Sequence, residues 1–362
     1  MKLKFYFQIA VVTALLSQHS FADQQCISGS ESSKGLIENL SAAEKNSPIT
    51  SLISRRYGLE KKTEADCIDC EKSNKALLPK LEPNKTYFKE ECLEAAGQIK
   101  AASNEVICPS GKNGQFRQCY TRSFFNYQNA VISDFYKCLR RTQNLPITPE
   151  ALFEMYSLES GFKPYYSNSG GTGMGQLTSI FIKDLHQKHR GRPIIESIAN
   201  STHDDCEAAK IIAQKDLSKE PSLSNKCSFI QAGEGMERDV LYSLMGLANS
   251  WNKDIEPLLT SYNKKYERDP QLLKVQYKAL INSYGPGGRA AARASIRRLS
   301  KLKPSDYIKA MDRPLMTEEG GNLNVYTNNL AKKQKQLVQF MKDPIKSEFQ
   351  KDGARACLEY MF

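Results

Sequence analysis

Glu159 is the residue of this chain whose type and position most suggest chemistry. Segment 148–160 reads TPEALFEMYSLES, and Thr148 is of a type that commonly caps the start of a helix. Glu159 follows Leu152 by seven positions and Met155 by four, a spacing that places the three side chains on one helix face. The sequence therefore predicts an inward-facing carboxylate near the C-terminal end of this helix.

The surroundings of Glu159 favour a carboxyl group that keeps its proton. A helix C-terminus carries the negative end of the helix dipole, and apolar neighbours remove water, so both effects raise the pKa of the group. A carboxylic acid that is protonated near neutral pH can donate a proton to the leaving oxygen of a glycosidic bond. Glu154, two positions after Leu152, is expected to point to solvent. Because a single glutamate at a helix end is more often a surface residue, position alone does not assign a role to Glu159.

The residues after Glu159 form a motif that strengthens this interpretation. They read ESGFKP at 159–164 and GMGQL at 173–177, with a Ser/Asn/Gly-rich loop between the two blocks. This pattern resembles the lytic transglycosylase family and its goose-type lysozyme relatives. The resemblance implies that Glu159 is the catalytic acid. The positions that it assigns to substrate binding are Ser160, Thr172, Met174 and Gln176.

A second block supports the resemblance. Segment 279–289 reads ALINSYGPGGR, in which a tyrosine precedes a Gly-Pro-Gly turn as in the family. The resemblance implies that Tyr284 reaches towards the catalytic glutamate or the sugar; the structural alternative is a core tyrosine at a helix end. One departure is Gly175, which stands where the family has a bulky residue. In all, the resemblance covers residues 148–302.

The reaction that the resemblance implies is cleavage of the β-1,4 bond between N-acetylmuramic acid and N-acetylglucosamine in peptidoglycan. Glycosidases generally use two carboxylates, but no acidic residue follows Glu159 until Asp184. This absence favours the transglycosylase route, in which Glu159 protonates the glycosidic oxygen and then accepts the proton of the muramic 6-hydroxyl, giving a 1,6-anhydro product. Hydrolysis stays open, because Asp184, Asp204 or Asp205 could enter the cleft in the folded chain.

Two other functions remain open at this stage. One is a hydrolytic lysozyme of the same fold, specific for deacetylated peptidoglycan, since disulfide-rich relatives of that kind exist in predatory bacteria. The other is a cell-wall glycan-binding protein that has lost turnover. Neither enzymatic route needs a cofactor. We also expect no metal site, because His186 and His189, three positions apart, are interpreted as solvated surface histidines.

The first 22 residues are interpreted as a signal peptide. Lys2 and Lys4 precede a mostly apolar run over 5–16, and Ser20-Phe21-Ala22 matches the pattern at which signal peptidase cleaves. The run is too short to span a bilayer, so we expect a periplasmic or secreted protein without a stable membrane anchor. All ten cysteines follow the cleavage point, which in an exported chain favours up to five disulfides of undetermined connectivity.

The expected partner is the peptidoglycan glycan strand. The formal net charge of +11 includes Lys2 and Lys4 of the signal peptide and suits an anionic cell wall, although solubility alone could explain it. Nothing resembles a nucleic-acid-binding motif, so nucleic acid is not expected as a partner. The protein is expected to act as a monomer.

The periodicity of apolar residues predicts a mainly α protein, a lysozyme-like catalytic domain with a disulfide-rich helical N-terminal extension. The predicted divisions are the signal peptide at 1–22, the N-terminal region at 23–143, the catalytic domain at 144–315 and a helical tail at 316–362. Alternating strand patterns are nearly absent. Besides the helix that carries Glu159, the predicted helices are 84–102, 123–142, 180–188, 204–214, 238–250, 272–283, 288–302 and 324–341.

Overall fold

The computed structural model describes about half of the chain. The described residues are 24–25, 47–59, 90–95, 97–102, 106–109, 119–143, 149–164, 166–168, 171–222 and 234–263, with the single positions 145, 147, 229, 280, 283, 284 and 293. The predicted signal peptide, the tail at 316–362 and most of the predicted helices at 272–283, 288–302 and 324–341 lie outside these residues.

Helices account for most of the described residues, which confirms the prediction of a mainly α protein. The predicted helices at 123–142, 180–188, 204–214 and 238–250 are found within a few residues of their expected bounds. The helices are α1 Pro48–Tyr57, α2 Glu90–Ala95, α3 Arg122–Gln143, α4 Pro149–Ser160, α5 Ser179–His186, α6 Arg192–Ala199, α7 Glu207–Ser218, α8 Gly235–Ser250 and α9 Glu256–Asn263. A 3₁₀ turn at Asp204–Cys206 precedes α7, and a π-helical turn at Trp251–Ile255 joins α8 to α9.

The predicted helix at 84–102 is wrong over its second half. Helix α2 ends at Ala95, and Gly97 adopts a left-handed conformation with φ 67°. The N–H of Gly97 donates to the carbonyl of Glu94 at 2.8 Å, and the N–H of Gln98 donates to the carbonyl of Leu93 at 2.7 Å. A glycine in this conformation ends a helix, and the chain then continues as a strand at 99–101.

Short strands form two antiparallel sheets that the sequence pattern did not predict, because strands of two to four residues are too short to show alternation. In chain order the strands are β1 Gln24–Gln25, β2 Ile99–Ala101, β3 Val106–Pro109, β4 Tyr120–Thr121, β5 Tyr166–Asn168 and β6 Gly171–Thr172. One sheet has the order β2-β3-β4, and the other has the order β1-β5-β6. Strands β5 and β6 of the second sheet follow α4 in the chain and lead into the glycine-containing turn of the GMGQL block.

The described helices and sheets share one hydrophobic core, with α8 at its centre. All sixteen residues of α8 are buried, and the helix packs against α3, α5 and α6. Helix α3 belongs to the predicted N-terminal region, yet it contributes to the same core as α4 and α8. The division at residue 143 stays a prediction.

Helix α4 is buried on more sides than expected. Leu152 and Met155 are buried as predicted, but Glu154 is only 2% exposed, so its expected surface position was wrong. The reason is Gln98, just before β2, whose Nε2 donates to the Glu154 carboxylate at 3.3 Å. The segment between α2 and β2 thus supplies a partner on the side of α4 that was expected to face water.

Two disulfides have described side chains. Cys108–Cys119 joins β3 to the residue before β4, and Cys138–Cys206 joins α3 to the 3₁₀ turn before α7. Disulfides of this kind are characteristic of an oxidising extracellular or periplasmic environment. Over the described part of the chain, no helix combines the length and the apolar character needed to span a bilayer.

Candidate functional site

Glu159 lies in the last turn of α4, partly exposed to solvent. Directly after the helix, Gly161 and Phe162 both have positive φ angles, 63° and 65°. Such a conformation is uncommon for phenylalanine, and the buried ring packs against Phe153 with 4.3 Å between ring centroids. The chain therefore changes direction at Gly161 and Phe162, and Glu159 is the second-last residue of the helix.

The two carbonyl groups directly after α4, those of Gly161 and Phe162, accept hydrogen bonds from side chains of other elements. Tyr120 of β4 donates through its hydroxyl to the carbonyl of Gly161 at 2.7 Å. Gln128 of α3 donates through Nε2 to the carbonyl of Phe162 at 2.8 Å. Because both donors lie in well-packed elements, they fix the direction in which the chain leaves Glu159.

A closed turn connects β6 to α5. Thr172 and Leu177 exchange two backbone hydrogen bonds, at 3.0 and 2.9 Å, across residues 173–176. Gly173 and Gln176 have φ angles of 74° and 50°, and Nε2 of Gln176 donates to the carbonyl of Gly173 at 2.7 Å. We call residues 173–176 the glycine turn. Its backbone is therefore held both by strand pairing and by a side chain of its own.

Asp239 of α8 lies beneath the glycine turn. Its carboxylate accepts hydrogen bonds from the N–H of Met174 at 2.5 Å and from the N–H of Gly175 at 3.2 Å. The side chain is 0% exposed, and this burial raises the pKa of Asp239 to about 8, although the two N–H groups oppose the shift. A Cβ atom on Gly173 would lie 2.5 Å from Cγ of Asp239, so glycine is required for the turn to approach the carboxylate this closely.

Tyr284 contacts the glycine turn next to Ser243 of α8. Its hydroxyl donates to the carbonyl of Gly175 at 2.6 Å. A Cβ atom on Gly175 would lie 2.8 Å from Oη of Tyr284 and 2.9 Å from Cβ of Ser243, which explains why no bulky residue stands at this position. Burial raises the pKa of Tyr284, and the negative charge of Glu159 raises it further. Tyr284 and Glu159 therefore lie close enough to interact electrostatically.

The structure separates the predicted site residues into two groups. Glu159, Gln176 and Tyr284 are partly exposed, whereas Ser160, Thr172 and Met174 are buried. Met174 is 0% exposed, and its Sδ accepts a weak hydrogen bond from Nε2 of Gln128 at 3.5 Å. The Ser160 hydroxyl donates to the carbonyl of Tyr156 at 3.3 Å. A direct contact between substrate and the buried side chains requires a rearrangement, and their predicted role in binding stays a prediction.

The three aspartates that left hydrolysis open have partners elsewhere in the fold. Asp184 forms an ion pair with Arg190 at 3.6 Å, and Asp205 forms one with Arg141 at 3.4 Å. The carbonyl of Asp204 accepts a hydrogen bond from Arg56 at 2.8 Å. Asp184 lies on α5, whereas Asp204 and Asp205 lie in the 3₁₀ turn beside α3.

His186 is buried and not solvated, so its predicted surface position was wrong. It is 9% exposed, and its Nε2 lies 2.8 Å from the hydroxyl of Tyr242, which itself donates to Asp216 at 2.9 Å. Burial lowers the pKa of His186. His189 is exposed, as expected. Among the described residues, no group of three or more His, Cys, Asp or Glu side chains is arranged to hold a metal ion.

Asp239 and Ser243 are the parts of this site that the sequence did not reveal. The segment GMERDVLYSLMGLANS matches the family's core helix too loosely for residues to be assigned by resemblance. One signal was present, since Asp239 is a charged residue in the interior of a largely apolar helix. A buried carboxylate needs hydrogen-bond donors, but the sequence does not show that the donors belong to a segment about 65 residues away.

The chain matches no protein-family model, no curated protein and no solved structure. The likeness to lytic transglycosylases and goose-type lysozymes therefore rests on the two sequence blocks around Glu159 and Tyr284.

Proposed function

We propose that this protein cleaves the glycan strands of peptidoglycan as a lytic transglycosylase, with Glu159 as its catalytic acid and base. The observation that carries the proposal is the meeting of the two sequence blocks. The hydroxyl of Tyr156, three residues before Glu159 on α4, lies 2.6 Å from the hydroxyl of Ser243 on α8. Gly175 of the glycine turn packs against Ser243, and its carbonyl accepts the hydroxyl of Tyr284. These contacts between residues as much as 109 positions apart support a single site that contains Glu159, the glycine turn and Tyr284.

The proposed reaction needs one carboxyl group. The Glu159 carboxyl donates its proton to the glycosidic oxygen as the bond from C1 of N-acetylmuramic acid to that oxygen breaks. The muramic 6-hydroxyl then bonds to C1, and its proton passes to the Glu159 carboxylate. The products are a strand ending in 1,6-anhydromuramic acid and a strand with a free 4-hydroxyl, and the acid is regenerated.

The position of Asp239 favours this route over hydrolysis. A hydrolytic enzyme of this kind needs a second carboxylate that holds an attacking water molecule. The Asp239 carboxylate is enclosed and is occupied by the N–H groups of Met174 and Gly175. It therefore cannot present an oxygen to water in the cleft. A hydrolytic lysozyme remains the second candidate, distinguished by its products.

The proposal is tested by a Glu159→Gln variant incubated with purified, insoluble peptidoglycan. Glutamine has nearly the same shape but cannot donate the required proton, so release of soluble fragments is expected to fall by at least ~100-fold. Glu154→Gln is the matched control, because it changes a glutamate of the same helix whose oxygen accepts a hydrogen bond from Gln98. The control should retain cleavage, since glutamine keeps an acceptor oxygen.

Two results would contradict the proposal. Unchanged fragment release by Glu159→Gln would exclude this residue as the acid. Binding of the wild-type protein to peptidoglycan without any release of fragments would favour a glycan-binding protein.

A further inference from the structure

We infer that Asp239 is a positioning residue for the reaction proposed above: it holds the glycine turn, and through that turn Tyr284, at a fixed place relative to Glu159. The inference rests on the proposed function for its catalytic part. The part that concerns how the turn is held rests on contacts alone.

The first support is the unusual environment of the Asp239 carboxylate. A charged group is costly to enclose in a protein core unless donors surround it. Here the two backbone donors, the N–H groups of Met174 and Gly175, come from consecutive residues of one turn. Backbone donors cannot change rotamer, so the two hydrogen bonds restrain the turn itself and not merely a side chain on it.

The second support is that the two turn residues facing Asp239 and Ser243 are glycines, which have no side chains of their own. Gly173 faces the Asp239 carboxylate, and Gly175 faces Ser243, which lies one helical turn after Asp239. In both places a Cβ atom would approach within 3 Å of α8 side-chain atoms. The turn therefore lies directly on the helix, and a small shift of either is transmitted to the other.

The third support is that the same face of α8 also holds the helix of the catalytic acid. The hydroxyl of Ser243 lies 2.6 Å from the hydroxyl of Tyr156, three residues before Glu159 on α4. Ser243 also lies beside Gly175, whose carbonyl accepts a hydrogen bond from the hydroxyl of Tyr284 at 2.6 Å. Asp239 and Ser243 thus connect the acid, the turn and the tyrosine through one rigid helix.

The test compares Asp239→Asn with a matched control, Glu237→Gln. Glu237 lies two residues earlier on α8, is also buried, and accepts a hydrogen bond from the hydroxyl of Tyr127 at 2.5 Å, remote from the turn. Both variants replace a buried carboxyl group with an amide of nearly the same shape. In Asp239→Asn the amide oxygen can take the place of Oδ2, which accepts from both turn N–H groups. The amide NH₂ then replaces Oδ1, which lies 3.4 Å from the N of Gly175, so a donor faces a donor and the hold on the turn is weakened.

The first measurement is amide hydrogen exchange of a peptide covering 171–177, followed by mass spectrometry. We expect Asp239→Asn to accelerate exchange of this peptide by at least ~10-fold, and Glu237→Gln to leave it at the wild-type rate. Gly173→Ala is a second variant that disturbs the same contact from the turn side, and it should accelerate exchange in the same peptide. An unchanged exchange rate in Asp239→Asn and Gly173→Ala would overturn the inference.

The second measurement is cleavage of soluble glycan strands by the same variants. Misplacing a reacting group lowers turnover more than binding, so kcat should fall by ~10- to 100-fold for Asp239→Asn while KM changes by less than ~3-fold. Glu237→Gln should keep the wild-type kcat. Faster exchange with unchanged kcat would overturn the catalytic part of the inference.

The outcomes separate the inference from the proposed function. A wild-type protein that cleaves no glycan would contradict the proposed function, and the exchange measurement would still decide whether Asp239 holds the turn. Cleavage by the wild type with no loss in Asp239→Asn would contradict only the role of Asp239.

Discussion

Single residues set the geometry of the site through close contacts that admit little variation. Tyr284 and Ser243 together occupy the space into which a side chain of Gly175 would point, so its lack of a side chain and the presence of the tyrosine hydroxyl depend on each other. Leu152 and Met155 are buried as their spacing predicts, whereas Glu159, assigned to the same helix face, is partly exposed.

The error at Glu154 has a physical cause at this scale. A helix with one solvent-facing side would expose Glu154, but Gln98, which lies 56 positions earlier and just before β2, donates a hydrogen bond to its carboxylate. Periodicity reports the apolar side of a helix and does not show which polar positions meet a partner elsewhere in the chain. The same limit hid the contact of Asp239 with the glycine turn.

Replacing Tyr284 with phenylalanine tests whether its hydroxyl holds the turn. The substitution removes the hydrogen bond to the carbonyl of Gly175, and we expect the free energy of unfolding to fall by about 1 kcal/mol and cleavage by ~10-fold. Tyr242→Phe is the control, because that buried hydroxyl bonds to Asp216 and His186 and not to the turn. Equal cleavage by Tyr284→Phe and the wild type would mean that the hydroxyl has no part in positioning.

Helix α8 is the element on which the site depends. Its buried faces support the glycine turn, the helix of Glu159 and the start of α5. The existence of this helix could be predicted from apolar spacing. Its role could not, because contacts with three sequence-distant segments determine it. The premature end of α2 at Gly97 was predictable in principle from a glycine within an otherwise helical pattern.

Gly246 of α8 gives a prediction at the scale of packed helices. A Cβ atom at this position would overlap the ring of Phe181 at 1.7 Å, and Phe181 packs edge-on against Tyr284 with 6.3 Å between centroids. We expect Gly246→Ala to lower the free energy of unfolding by about 1–3 kcal/mol in urea titrations, because the ring must move.

The double variant Gly246→Ala/Phe181→Leu provides the control. A smaller side chain on α5 relieves the overlap, so the double variant should be more stable than the sum of the single changes indicates. Strict additivity would contradict a direct steric contact between the two positions.

Over the whole molecule, elements before residue 144 pack into the same hydrophobic core as the helices that carry the site. Helix α1 is joined to α3 by an ion pair between Arg56 and Asp134, and α3 is joined to the 3₁₀ turn by Cys138–Cys206. The cysteine count predicted disulfides in general. It could not predict their pairing, which depends on the packing of α3 beside that turn.

Asp134 makes the stability of the molecule depend on pH. Burial raises its pKa to about 6 from an ordinary value of 3.8, although Arg56 opposes the shift. Because the folded-state pKa is the higher one, the stabilisation is complete below about pH 4 and is lost as the pH rises to about 6. Its size is at most about 3 kcal/mol.

Asp134→Asn removes this titration. In urea titrations between pH 4 and pH 7, the free energy of unfolding of the variant should decline less steeply with rising pH than that of the wild type. Identical pH dependence in both proteins would show that Asp134 does not titrate in this range.

The most direct test of the account is mass spectrometry of the glycan ends released from peptidoglycan by the wild-type protein, with Glu159→Gln as the inactive reference. A single catalytic carboxyl group predicts muropeptides that end in 1,6-anhydromuramic acid, 18 Da (one water) lighter than their reducing counterparts. Reducing ends alone would contradict the transglycosylase account and would indicate a hydrolytic lysozyme. Fragments released equally by Glu159→Gln would remove Glu159 from the mechanism.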